Sequence, residues 1–197
     1  MLPAETMSYL HKYFGAINAA LESTEVTRNG TPVKLAAALD QLITLSQEVK
    51  SNRGTKYFCG NGASAAMASH FALDWLKAAD LKAIAFNDPV SLTAVANDVS
   101  FEQVFSLPLS RLAEKKDLVV TISSSGNSPS VVAAIAEAHR LRVPCVTFSG
   151  FRPDNQSRQN GDLNFYVPCR TYGVAESCHQ ILLHAWLDHY LRLSEWS

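Results

Sequence analysis

The chain has 197 residues, 47% hydrophobic and 18% charged, with a formal net charge of -1. That length suffices for one α/β domain whose core needs no metal or disulfide staple, and the composition is that of a globular protein rather than a disordered or fibrous one. A charge balance this close to neutral provides no basic face for nucleic acid or an anionic membrane, and no apolar run approaches the roughly 20 residues that span a bilayer.

In chain order, residues 3–24 place Met7, Leu10, Phe14, Ile17 and Leu21 at three- and four-residue steps, the period of an amphipathic helix. The opening "MLPAETMSYLHKYF" has no basic segment followed by an apolar core, so no signal peptide is expected. A second helix is expected over 31–52, with Thr31 as N-cap, Pro32 at its first position, and Leu35, Leu39, Leu42 and Leu45 on one face. "RNG" at 28–30 is the turn between them. The apolar stripe of this hairpin, residues 1–52, is wider than two helices can bury alone. It is expected to pack on the rest of the chain or across a subunit boundary.

Beyond it the pattern alternates. Short apolar strands appear at "KYFCG", "LKAIAF", "DLVVTIS", "VPCVTFS" and "LNFYVP". Helical segments separate them at 62–78, at 90–113 with a break near Pro108, and at 128–142, and a terminal helix runs over about 174–193. Continuously apolar strands separated by helices predict a parallel sheet covered on both faces. The expected fold is a three-layer α/β/α sandwich: a central five-stranded parallel sheet and an N-terminal helical hairpin, in one domain over 1–197 with its α/β core at 53–197. Cys59, Cys145, Cys169 and Cys178 show no C-x-x-C spacing and are read as free thiols of a reducing cytoplasm.

Ligands of open parallel sheets bind where loops leave the carboxyl ends of the strands. Two such junctions carry unusual chemistry. In "CGNGAS", Gly60 and Gly62 let the backbone turn tightly, while Asn61 and Ser64 offer side-chain hydrogen bonds. In "TISSSGNSPS", Ser123, Ser124, Ser125 and Ser128 surround Gly126 where the next helix presents its free N–H groups and positive dipole end. Hydroxyls, backbone amides and a helix N-terminus suit a phosphate without any lysine. Capping by Ser128 before Pro129 explains one serine, not four in six residues. "GNGASA" lacks the third glycine of a dinucleotide fingerprint and the Gly-Lys-Ser/Thr of a Walker loop.

His70 and Asp74 lie four apart and share a helix face. The terminal helix carries Glu176, His179, His184, Asp188 and His189, with Glu176 and His184 two turns apart. Two imidazoles and two carboxylates from two helices can hold a divalent metal such as zinc, or can shuttle protons. Taken singly, each is more often an ordinary surface or core polar residue, and His11, His139 and His189 are assigned that role.

The stretches "CGNGASAAMASHFA", "VSLTAVANDVSFEQVFS", "ISSSGNSPSVVAAI" and "VAESCHQILLHAWLD" together resemble the sugar isomerase (SIS) domain family, and within it the phosphoheptose isomerase branch. The resemblance covers nearly the whole chain. It implies a flavodoxin-like sheet without a nucleotide and aldose–ketose isomerisation of sedoheptulose 7-phosphate, or a close relative, for the heptoses of lipopolysaccharide, capsule or S-layer. It implies that Ser123, Ser124, Ser125 and Ser128 bind the sugar phosphate, and that Asn61, Gly62, Ala63, Ser64, Asn97, Asp98 and Glu176 line the substrate pocket. It implies a zinc or other divalent ion at His70, Asp74, Glu176 and His184, with Asp74 and His184 catalytic, in a cytoplasmic homotetramer with sites at subunit interfaces. The sequence departs from the family at four places. Asp74 stands for a glutamate, and a misplacement of about 1 Å can cost roughly 100-fold in rate. Glu176 stands for a glutamine and Gly173 for an acidic residue. The link after the first site helix is shorter and retains only Lys77. The competing expectation is a non-catalytic SIS protein, either a sugar-phosphate sensor or a tetramer that associates with a replication initiator.

Overall fold

The structure, a computed structural model, describes residues 4–196; Met1, Leu2, Pro3 (the start of the first predicted helix) and Ser197 lie outside the described residues. Helix α1 spans Ala4–Glu22, as its apolar spacing predicts. The next segment differs from expectation. Glu25–Arg28 (β1) and Thr31–Val33 (β2) form an antiparallel hairpin, with Val26 opposite Val33. Asn29 and Gly30 turn it with φ of 47° and 78°, the doubly positive pattern that Asn-Gly favours in two-residue hairpins. Thr31 is therefore a strand residue and not a helix cap. Pro32 sits on an edge strand, where its missing N–H is tolerated, and α2 (Leu35–Ser51) starts with Lys34 at its N-cap.

There follow β3 (Lys56–Gly60), α3 (Ala63–Ala78), β4 (Ala83–Ala85), α4 (Pro89–Asp98), a 3-10 turn (Phe101–Gln103) and α5 (Ser106–Leu112). Then come β5 (Leu118–Ser123), α6 (Pro129–Leu141), β6 (Cys145–Gly150), α7 (Gln156–Asn160), β7 (Leu163–Val167) and α8 (Tyr172–Leu191). The five predicted strands are present and mutually parallel. The sheet is nonetheless seven-stranded, in the order β2-β1-β7-β6-β5-β3-β4, because β1 adds antiparallel to β7. The break in the 90–113 segment falls between Asp98 and Ser106. Pro108 lies in the first turn of α5, where no intrahelical bond needs its N–H.

Side chains alternate across the sheet. Phe58 faces a core under α2, α3 and α8 with Phe71, Trp75, Phe148, Phe165 and Trp186. Tyr57 and Cys59 face the other, with Leu109, Val131, Ile135 and Cys145 under α5 and α6. α8 packs against α1, α2 and α3. All four cysteines are free, and burial raises the thiol pKa of Cys59 and Cys145, which keeps them protonated. From β3 the chain steps outward to β4, then returns past β3 and continues the other way through β5, β6 and β7. The strand order thus reverses between β3 and β5, and both predicted ligand loops leave the carboxyl ends of this neighbouring pair.

Candidate active site

The serine loop, residues 123–128, is shaped by its glycine. Gly126 has φ of 65°, and a Cβ there would collide with Asn155, the buried N-cap of α7. α7 braces the loop from behind: Ser157 N–H donates to Gly126 O at 2.8 Å and Gln156 N–H to Asn127 Oδ1 at 2.9 Å. Ser128 occupies the N-cap of α6 but makes no side-chain capping bond. Its hydroxyl accepts instead from Asn61 Nδ2 at 2.8 Å, and Ser130 Oγ accepts the second amide proton at 2.9 Å. Ser123 Oγ and Ser125 Oγ accept from the N–H groups of Gly126 and Asn127, each at 3.2 Å. Ser128 and Ser130 also share a hydroxyl contact at 3.4 Å, whereas Ser123 and Ser125, whose oxygens accept from within the protein, keep their hydroxyl protons for a ligand. Hydroxyl donors around a helix N-terminus without a side-chain cap could cradle a phosphate.

Asn61 ties this cradle to the other loop. Gly62, with φ of 57° and ψ of -125°, takes a backbone conformation available essentially to glycine at the N-cap of α3. Gly62 and Ala63 are exposed, whereas Ser64 is buried in the first turn. From Ala63, α3 carries His70 about 10 Å along its axis at 1.5 Å per residue. His70 Nε2 lies 3.2 Å from Asp74 Oδ2, with Lys77 Nζ at 4.0 Å from the other oxygen; the Asp74 side chain is 19% exposed. The His184 ring from α8 meets the His70 ring at 5.4 Å between centroids and rests edge-on against the buried Phe71 at 4.8 Å. Gln180 Nε2 stands 3.0 Å from His184 Nε2. Asp74 and two imidazoles therefore share one half-exposed face, which can accept, hold and return a proton.

Glu176 is half-buried and joins none of these three by hydrogen bond or ion pair among the described residues. It precedes His184 by eight residues, about 12 Å along the helix. No group of three or more His, Cys, Asp or Glu able to hold a metal occurs among the described residues. The donors suit zinc chemically, but their arrangement within one chain does not fit it. Asn97 and Asp98 end α4, exposed, and Asn97 Nδ2 donates to Asp98 Oδ1 at 2.8 Å instead of reaching either loop. His139 and His189 pair with Asp162 and Asp40 on the surface, and His11 is exposed. A separate cavity of about 730 Å³ opens at the opposite end of the sheet, between α2 and the starts of β6 and β7, and none of the site residues lines it.

Sequence reasoning missed Ser130, Asn155 and Gln180. Asn155 had a local signal, as the N-cap type residue of "DNQSR"; Gln180 lies four residues before His184 on one helix face. Ser130 closes the stretch "TISSSGNSPS", but its contact with Asn61, 69 residues away, is not encoded locally.

The SIS domain pattern matches residues 12–150 of the chain. The phosphoheptose isomerase of Helicobacter pylori (strain ATCC 700392 / 26695) is 34% identical over 160 residues, 78% of this chain and 83% of that protein. That of Azoarcus sp. (strain BH72) is 32% identical over 180 residues, covering 87% and 91%. The structure of phosphoheptose isomerase GmhA from Neisseria gonorrhoeae superposes with a TM-score of 0.82 at 28% identity, over 96% of this chain and 98% of that one. The chain belongs to the SIS domain family and, within it, to the phosphoheptose isomerases. No helix among the described residues is long and apolar enough to cross a membrane.

Proposed function

We propose that the chain is an aldose–ketose isomerase that converts sedoheptulose 7-phosphate to D-glycero-D-manno-heptose 7-phosphate. One observation carries the reading: α3 leaves the loop that is hydrogen-bonded to the phosphate cradle and, about 10 Å on, presents His70 and Asp74 to His184. The names and identities of the relatives support the substrate.

In the proposed reaction, Ser123, Ser124, Ser125 and Ser128 hold the phosphate, and the open-chain sugar extends along α3. Asp74 takes a proton from C1 of the ketose, with the His70 ring beside it fixing the carboxylate. His184 gives a proton to the C2 oxygen as the enediol forms and takes one from the C1 oxygen as it collapses. Asp74 returns its proton to C2, which leaves the aldose. Zinc enters this proposal for the assembled protein alone, where an ion could polarise the carbonyl; the four donors do not converge within one chain, and no step is routed through it. The whole chain is read as one SIS domain, with residues 1–52 serving oligomer packing, in a cytoplasmic homotetramer whose interfaces complete the pocket around Asn97, Asp98 and Glu176. Exposed apolar side chains on α1 and α3 favour assembly, and four free thiols favour a reducing compartment.

The test is NMR of sedoheptulose 7-phosphate incubated with the protein. The wild type should produce the aldose, and Asp74→Asn should lower kcat by about 10²–10⁴ with little change in KM. Unchanged turnover in Asp74→Asn removes that residue as the base. A wild type that binds the phosphate ester and leaves it unconverted favours a non-catalytic sugar-phosphate binder.

A further inference from the structure

Lys56 opens β3, at the end of the sheet away from both loops, and its side chain is fully buried. Lysine is almost never fully buried unless paired, yet no carboxylate pairs with Lys56 among the described residues. Its ammonium lies instead in an aromatic box: 2.9 Å from the centroid of the Trp75 ring, 4.0 Å from Trp186 and 6.0 Å from Tyr190. It donates to Ser46 Oγ on α2 at 2.8 Å. The same oxygen accepts from Trp186 Nε1 at 3.0 Å, while the serine hydroxyl donates to Leu42 O at 2.6 Å. Burial lowers the pKa of the amine, and the negative ring faces work against that by attracting the cation, more strongly once water is removed.

The box lies under the seam that carries the proposed chemistry. Trp75 directly follows Asp74 on α3, and Trp186 comes two residues after His184 on α8. The two indoles meet at 5.1 Å, and Trp75 meets Tyr190 at 4.9 Å. The outer side of the α3–α8 contact therefore presents His70, Asp74 and His184, while the inner side rests on one ammonium. Resting on the isomerase reading above, we propose that Lys56 is a positioning residue for the isomerisation: its ammonium holds the inner faces of α3 and α8 together, and so keeps the His184 ring against His70 and Phe71. Lys56 touches no reacting atom. A methionine of similar length fills the volume but brings no positive charge and no donor for Ser46, leaving only a weaker thioether contact with the indoles, so it loosens the tie while keeping most of the packing.

The experiment compares wild type with Lys56→Met. Positioning predicts a kcat lower by about tenfold or more, since small displacements of reacting groups are costly. KM for sedoheptulose 7-phosphate should stay within about twofold, because the serine loop belongs to β5 and α6 and does not touch the box. A lower melting temperature with kcat unchanged at 25 °C would show Lys56 to be structural only and overturn the proposal. If Lys56→Met does not fold, Trp75→Phe, which retains the lysine beneath a weaker ring face, must show the same split. If the wild type does not isomerise the sugar, the histidine-ring NMR signals decide. Those of His70 and His184 should shift in the variant while those of His11 and His139 stay, and unmoved His70 and His184 signals would sink the proposal.

Discussion

His179 points inward from α8, fully buried, with Nε2 donating to Ser149 O at 3.1 Å and Nδ1 without a partner among the described residues. Burial in apolar surroundings lowers its pKa from 6.5 to about 4. The unfolded chain therefore binds more protons than the folded one between about pH 6.5 and pH 4. The stability that His179 allows at neutral pH falls across that window, by up to about 3 kcal/mol below it. Urea titrations at pH 7 and pH 4.5 should show a smaller loss in His179→Gln than in the wild type; equal losses would mean that the ring does not titrate this way. The sequence singled out His184 by its spacing from Glu176 and by family resemblance, and left His179 on the same helix without a role. The packing separates them: the first faces the sheet, the second the seam with α3. The His70–Asp74 pair was legible because four residues make one helical turn. The true hydroxyl partner of Ser128 was not, because Asn61 lies 67 residues away and no local pattern encodes it.

The loop between β5 and α6 shows what an element demands of one position. Gly126 combines a φ of 65° with no room for a methyl group against Asn155. Gly126→Ala should destabilise the fold by about 1–3 kcal/mol and weaken binding of a phosphate ester, as the serine hydroxyls shift with the backbone. Calorimetry and a binding titration check both; an unchanged affinity would remove the loop as the anchor. The serine-and-glycine composition made this loop legible as a strand-to-helix turn rich in hydroxyls. The β1–β2 hairpin was misread as a helix turn because Thr31-Pro32 imitates a helix start, although Asn29-Gly30 between β-branched residues is the stronger hairpin signal. The five parallel strands were legible because strands buried on both faces are apolar throughout.

For the whole molecule, the apolar residues left outside are informative. Phe14 on α1 is 60% exposed, and Leu73 and Leu76 on α3 are exposed as well. Such side chains scattered singly need no explanation, but the site face on α3 lies among these. If the proposed homotetramer forms, light scattering should give four times the 21.5 kDa chain mass. Phe14→Asp should shift the protein toward smaller species with its helix content kept, since the side chain is solvated in the single chain. An unshifted mass would remove α1 from the contact. The relative placement of Glu176 and of the Asn97–Asp98 pair was beyond sequence reasoning because helical spacing fixes a face, not which other face it meets.

The pairing of β1 with β7 bears on how the protein is made. The strand that β1 pairs with, β7, is synthesised more than 130 residues after it. Residues 25–33 must wait with unpaired edges until Leu163–Val167 emerges, so sheet completion is a late, long-range event. A chain cut short before β7 would therefore expose two open strand edges at once, on the early hairpin and on β6.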